Sequence, residues 1–208
     1  MESIDIRSIK AKFQQPLPGL SAQLRMAPAK RREELELVDN LKNARESAVL
    51  IILFEKESVL HAVFILRSDY DGIHSGQMAF PGGKKEPEDM DSLSTAIREV
   101  KEEIGLDAQD YQVLAQLSDL YIPPSNFLIK VFVAFYPGVP VYNFSTNEVK
   151  SLIEVPLTHL ADPINVEVGA FRVNTNDMIV DAPYYKINEL KLWGATAMIT
   201  SELLEILA

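Results

Sequence analysis

The sequence predicts an α/β protein of the α+β kind, with a mixed central sheet covered by a few helices. Three observations carry the prediction. Strand-like segments outnumber helical ones, the helical segments stand at separated points instead of following every strand, and no apolar run approaches the roughly 20 residues that cross a bilayer. The 208 residues, 47% hydrophobic and 24% charged, suit one domain of ordinary size with an appendage and lie near the averages of soluble globular proteins.

The elements follow in chain order. Ile6, Ile9 and Phe13 recur at helical spacing before "QQPLPGL" interrupts them, so a short amphipathic helix and a linker open the chain. Such a helix packs on the body or on a second subunit, which keeps a homodimer among the candidate assemblies. Its apolar face is small for a surface anchor, and no membrane partner is expected. "SAVLIILFE" (Ser47–Glu55) and "VLHAVFILR" (Val59–Arg67) are β-branched and apolar runs around three polar residues, a strand–turn–strand signal. Further strands are expected over Tyr111–Leu117, Phe127–Tyr136, Val149–Val155, Val166–Val173 and Met178–Ile187, and helices over Ser92–Ile104 and Ala195–Leu207. The division is an N-terminal helical extension, residues 1–46, and a main domain, residues 47–208.

Composition removes several kinds of chemistry. Without cysteine there is no disulfide framework, thiol nucleophile or cysteine-held metal, and His61, His74 and His159 show no zinc-type spacing. The net charge is −10, yet residues 1–32 carry +5, leaving −15 for the remainder. A body so acidic repels nucleic-acid backbones, so no nucleic-acid partner is expected. If it acts on a phosphorylated small molecule, a divalent cation is the natural bridge between the two anions. The N-terminus has no apolar run of the signal-peptide kind, and Glu2 and Asp5 oppose a transit peptide, so cytoplasmic residence is expected.

The chemistry concentrates in "AFPGGKKEPEDMDSLSTAIREVKEEIGL", Ala79 to Leu106. Leu93, Ile97, Val100 and Ile104 form one apolar helical stripe, Asp91 can cap the helix, and Gly105 can end it. Glu99, Glu102 and Glu103 lie one turn apart, where like charges cost about 0.2–0.5 kcal/mol per pair. Arg98 offsets part of that cost, and a bound Mg²⁺ or Mn²⁺ would offset far more, since hard cations take carboxylate and phosphate oxygens together. Ahead of the helix, Gly82-Gly83 permits a sharp turn at the end of a strand with backbone groups open to a ligand.

The arrangement resembles the Nudix box, G-x5-E-x7-R-E-U-x-E-E-x-G-U with U a bulky aliphatic residue. Arg98, Glu99, Val100, Glu102, Glu103, Gly105 and Leu106 match its second half at every fixed position. In the first half, Asp89 stands where the motif has glutamate, and eight residues instead of seven separate it from Arg98. That extra residue is a feature of the coenzyme A pyrophosphatase branch. "HSGQMAFPGG" (His74–Gly83), following the pair Arg67-Ser68, is similar to the branch's upstream element, and "NEVKSLIEVPL" and "LWGATAMI" add further similarity. One departure stands out: the element's second arginine position is Gly72 here.

The resemblance implies a Nudix-like α/β/α sandwich and a metal-dependent hydrolase. It names Glu99 and Glu103 as first-choice metal ligands, completed by Glu102 and a Gly83 carbonyl, with Arg98 orienting a glutamate and Glu148 as a base or further ligand. The substrate side then falls to Arg67, Gly82, Gly83, Lys84, His74 and Asn126, with Tyr121, Ser125 and Phe127 as neighbours and Lys84, Lys85 or Arg67 as the cation in place of the missing arginine. Three activities stay open at this point: cleavage of the diphosphate of coenzyme A or acyl-CoA; cleavage of another nucleoside diphosphate such as ADP-ribose, a dinucleotide or a nucleotide sugar; and non-catalytic nucleotide binding.

Overall fold

The two long apolar runs form a hairpin in the computed structural model. Strands β1 (Arg45–Lys56) and β2 (Val59–Arg67) pair antiparallel around Glu57 and Ser58, whose φ angles are 54° and 61°. Two left-handed residues make the type I′ loop, whose twist matches that of the flanking strands. The structure describes residues 5–29, 31, 41, 43–68, 76–144, 146–173 and 178–208.

Six further strands, β3 (Met78–Ala79), β4 (Gly82–Lys84), β5 (Gln112–Gln116), β6 (Leu120–Ile122), β7 (Phe127–Tyr136) and β8 (Val149–Pro156), join the hairpin in an eight-stranded sheet. β1 and β7 run parallel from Arg45–Phe127 to Phe54–Tyr136, and the remaining pairings are antiparallel, so the sheet is mixed as expected. Strands β9 (Val166–Arg172), β10 (Ile179–Ile187) and β11 (Leu190–Trp193) make a second, antiparallel sheet.

Both faces of the large sheet are covered, which is why β1 reads as a continuous apolar run instead of an alternating one. Helices α1 (Ile6–Lys12) and α2 (Leu20–Gln23) precede the sheet in sequence, and α3 (Ser92–Ile104), α4 (Leu157–Ala161) and α5 (Gly194–Leu207) follow its strands. Ala48, Leu50, Ile52 and Phe54 pack towards Ala96, Val100 and Ile104 of α3. Ile51 and Leu53 share the opposite core with Ile9, Phe13, Leu160, Met198 and Leu203. The apolar side of α1 therefore packs on the body of its own chain, where Lys12 Nζ also donates to the carbonyls of Leu207 and Ala208 at 2.8 and 2.6 Å. Among the described residues no helix is long and apolar enough to cross a membrane.

One local expectation is corrected. Gly82-Gly83 is not a turn closing a strand but the body of β4, paired with Val49 and Ala48 of β1. The reason is closeness: a Cβ on Gly82 would lie 2.3 Å from the Ala48 carbonyl oxygen and 2.7 Å from Val49 Cα. Only glycine lets the backbone approach β1 this far.

Candidate active site

Helix α3 is set by its ends. The Asp91 carboxylate accepts from Ser94 N at 2.7 Å while Ser94 Oγ accepts from Asp91 N at 2.9 Å, a reciprocal capping box, and Gly105 closes the helix at φ 75°. Its inward face is formed by Ala96, Val100 and Ile104, with Leu93 and Ile97 only half-buried. The helix is thus turned from the stripe expected on hydrophobicity alone, and the turn carries Glu103 inside, where it is 2% exposed.

Glu103 is received by β4 and β2. Gly82 N–H donates to its Oε2 at 2.8 Å, and Arg67 Nη1 lies 4.0 Å from Oε1. Burial pushes its pKa up to about 7, with Gly82 N–H and Arg67 opposing the rise and the Glu99 and Glu148 charges adding to it. Glu99 occupies the space that any side chain at position 83 would need, since a Cβ there would lie 2.1 Å from its Oε1. Its pKa is also raised, chiefly by burial, against the pull of Arg98 and with repulsion from Glu102 and Glu148.

Arg98 ties the wall together. Its Nε and Nη2 donate to the two oxygens of Asp89 at 3.0 Å each, Nη1 donates to Glu99 and Glu102 at 3.0 Å each, and Nη2 also donates to the Lys84 carbonyl at 3.1 Å. Asp89 accepts in addition from Thr95 Oγ1 and Glu86 N, both at 2.9 Å. The guanidinium holds the Asp89 carboxyl well below the usual carboxylate range. The eight-residue spacing therefore leaves the Asp89–Arg98 pair intact. Met90, between Asp89 and the cap, is 90% exposed.

The walls enclose a cleft of about 460 Å³ lined by Arg67, Ser68, Gly82, Gly83, Lys84, Glu86, Glu99, Glu103, Asn147 and Glu148, within the usual range of small-molecule sites. Seven residues singled out in the sequence meet here: Arg67, Gly82, Gly83, Lys84, Glu99, Glu103 and Glu148. Others do not. The Glu102 side chain is 54% exposed and turned to Arg98. Arg98 stands behind the wall. Asn126 donates to the Asn43 carbonyl and accepts from Tyr121 Oη, both at 2.9 Å. His74 and Gly72 lie outside the described residues. Sequence reasoning missed Glu86, which carries no motif, and gave no role to Asn147, the first residue of "NEVKSLIEVPL". Glu148 arrives through pairing distant in sequence, where Ser68 N donates to its carbonyl at 2.9 Å as β8 runs beside β2.

Among the described residues no three acidic or histidine side chains stand as a ready-made set of metal ligands. The donor chemistry nonetheless suits a hard cation. Four carboxylates, those of Glu86, Glu99, Glu103 and Glu148, line one cleft, Glu99 and Glu103 hold raised pKa values through burial and repulsion from neighbouring carboxylates, and the missing side chain at Gly83 keeps the Glu99 carboxylate against the backbone.

Comparison with known proteins agrees with this geometry. The family model of the NUDIX domain matches residues 44–172. The mitochondrial coenzyme A diphosphatase NUDT8 of Homo sapiens is 31% identical over 92% of this chain, which spans 75% of it. A relative from Schizosaccharomyces pombe is 32% identical over 82% of this chain, which spans 59% of that protein's length. The crystal structure of the Nudix hydrolase RenU from M. smegmatis superposes with a TM-score of 0.56 at 15% identity, covering 79% of this chain and 86% of that one. Nudix hydrolases generally work with a divalent cation. With the box residues on α3 and the matched span covering both strands that receive them, the chain belongs to the Nudix hydrolase family, enzymes that cleave diphosphates.

Proposed function

We propose that the protein hydrolyses the diphosphate of coenzyme A or an acyl-CoA, releasing 4′-phosphopantetheine or its acyl form and adenosine 3′,5′-bisphosphate. One observation carries the reading. The two sequence elements that mark the coenzyme A branch line one cleft, with Arg67-Ser68 and Gly82-Gly83 on its strand wall facing Glu99 and Glu103 of the box. The similarity to a coenzyme A diphosphatase over most of the chain supports it.

In this reading Glu99 and Glu103, with the Gly83 carbonyl, are the groups that would hold Mg²⁺ or Mn²⁺. A cation bound there supplies charge neutralisation of the diphosphate and acidifies water. Glu148, exposed at the cleft mouth, accepts the proton as a water oxygen attacks phosphorus and the bridging P–O bond breaks. Arg67 and Lys84 bind the non-bridging oxygens. Arg98 acts through Glu99, fixing the carboxylate against the Gly83 backbone.

Incubating the purified chain with CoA and Mg²⁺ or Mn²⁺, with products read by mass, tests the assignment. The two expected products should appear, and Glu99→Gln and Glu103→Gln should each lower kcat by roughly 10²-fold or more. CoA left intact at high enzyme concentration would remove this substrate. A second reading keeps the chemistry and changes the substrate to ADP-ribose, a dinucleotide or a nucleotide sugar, and Gly72 at the second arginine position favours it. Faster cleavage of one of these on the same preparation would select it.

A further inference from the structure

A second cleft of about 680 Å³ adjoins the first, and Lys84 and Glu86 line both. It is built where β1 and β7 begin. Their parallel register sets Arg45 beside Phe127, and the antiparallel register of β4 sets Lys84 opposite Ser47 on the other side of β1. The Arg45 guanidinium lies 4.2 Å from the centroid of the Phe127 ring and is held there by donating from Nη2 to the Ser125 carbonyl at 2.7 Å. Lys84 Nζ lies 5.8 Å from the same ring.

Two of the carboxylates of this cleft are paired, while Glu86 at its border with the first cleft has no ion pair among the described residues. Lys85 pairs with Glu46 at 3.4 Å, and Asp89 is neutralised by Arg98 at 3.0 Å. Arg45 and Lys84 have no carboxylate partner among the described residues. Two cations near one aromatic ring, without an ion pair among the described residues and in a chain of net charge −10, form a local site for an anion joined to a flat group. A guanidinium plane stacks a nucleobase, and Arg and Lys together bind a phosphate.

We infer that this cleft takes the phosphorylated nucleoside arm of the substrate, with the base stacked on the Arg45–Phe127 pair and the ribose 3′-phosphate between Arg45 and Lys84. The inference rests on the coenzyme A reading above. Lys84, lining both clefts, then reaches the diphosphate and the nucleoside arm at once, and Arg45 supplies a cation that position 72 lacks.

The test compares CoA with dephospho-CoA, which has the same diphosphate and no 3′-phosphate, in the wild-type chain and in Arg45→Leu and Lys84→Met, with Mg²⁺ present. Wild type should favour CoA in kcat/KM by at least about tenfold, the return of one charge-assisted contact, and both substitutions should bring the ratio close to one. Cleavage of CoA with the same ratio in all three proteins would overturn the cleft assignment while leaving the coenzyme A reading in place. Should wild type cleave neither compound, the coenzyme A reading fails, and calorimetric titration with adenosine 3′,5′-bisphosphate and with AMP still decides the cleft. Tighter binding of the bisphosphate that both variants lose supports it, and equal binding of the two nucleotides overturns it.

Discussion

At the scale of single residues, the wall of the site hangs on one cation. Arg98 reaches two carboxylate oxygens of Asp89, one each of Glu99 and Glu102, and the Lys84 carbonyl. Asp89 is its principal anchor, with a side chain only 6% exposed. Asp89→Asn removes the charge while keeping the shape, and should lower stability by about 2 kcal/mol, the worth of a charge-assisted hydrogen bond, since Arg98 keeps Glu99 and Glu102 as partners. The pH dependence follows from the direction of the Asp89 shift. Its folded pKa lies below the unfolded value of 3.8, so the stabilisation is present in full above that value and is lost as the pH falls through the folded one. Urea melts should therefore show the wild-type advantage at pH 6 and a shrinking gap below about pH 4. A gap that stays constant across that range would mean that the carboxylate charge does not act there.

At the scale of elements, neighbouring glycines serve different ends. The Cβ of Gly82→Ala would meet backbone, 2.3 Å from the Ala48 oxygen, whereas that of Gly83→Ala would meet the far end of the flexible Glu99 side chain at 2.1 Å. Gly82→Ala should thus lower Tm, while Gly83→Ala should leave a folded protein whose kcat falls by roughly 10²-fold as Glu99 is displaced. Thermal melts beside steady-state rates separate the two, and equal effects on Tm would undo the distinction. The same elements show what a sequence discloses. Long strands such as β1, β2 and β7 announce themselves because fully buried strands must be β-branched and apolar. β3, β4 and β6 do not, since a strand of two or three residues owes its pairing to the backbone groups its neighbour offers and not to its own propensity. Helix α3 was legible in its span and caps, yet its rotation was not: hydrophobicity ranks Ile97 inward and Glu103 outward, whereas Gly82 N–H and Arg67 give Glu103 an interior partner. Glu99 and Glu103 were visible as a motif, while Arg45 beside Phe127 depends on a parallel register that no local pattern encodes.

At the scale of the whole molecule, the question is whether the N-terminal helices belong to the same cooperative unit as the hydrolase sheet. Ile9, Phe13, Met26 and Ala27 enter the core that also holds Ile51, Val131 and Leu203. Polar ties follow the same seam. The fully buried Glu202 carboxylate accepts from Gln23 Nε2 at 2.8 Å and from Ser118 N at 3.2 Å, Ser201 Oγ donates to the Ala22 carbonyl at 2.8 Å, and Arg25 pairs with Glu205. A segment held this way contributes to the folding free energy of the sheet it covers. Phe13→Ala should destabilise the protein by about 3 kcal/mol, or roughly 6–12 °C in Tm for a chain of this size. Trp193, the lone tryptophan, stacks on Phe171 at 4.2 Å within the second sheet and reports a region remote from position 13 in sequence. Its fluorescence and the far-UV circular dichroism should shift together to the same lower midpoint in the variant. If the tryptophan transition kept its wild-type midpoint while only a small helical signal melted early, α1 would be a detachable appendage and not part of the core.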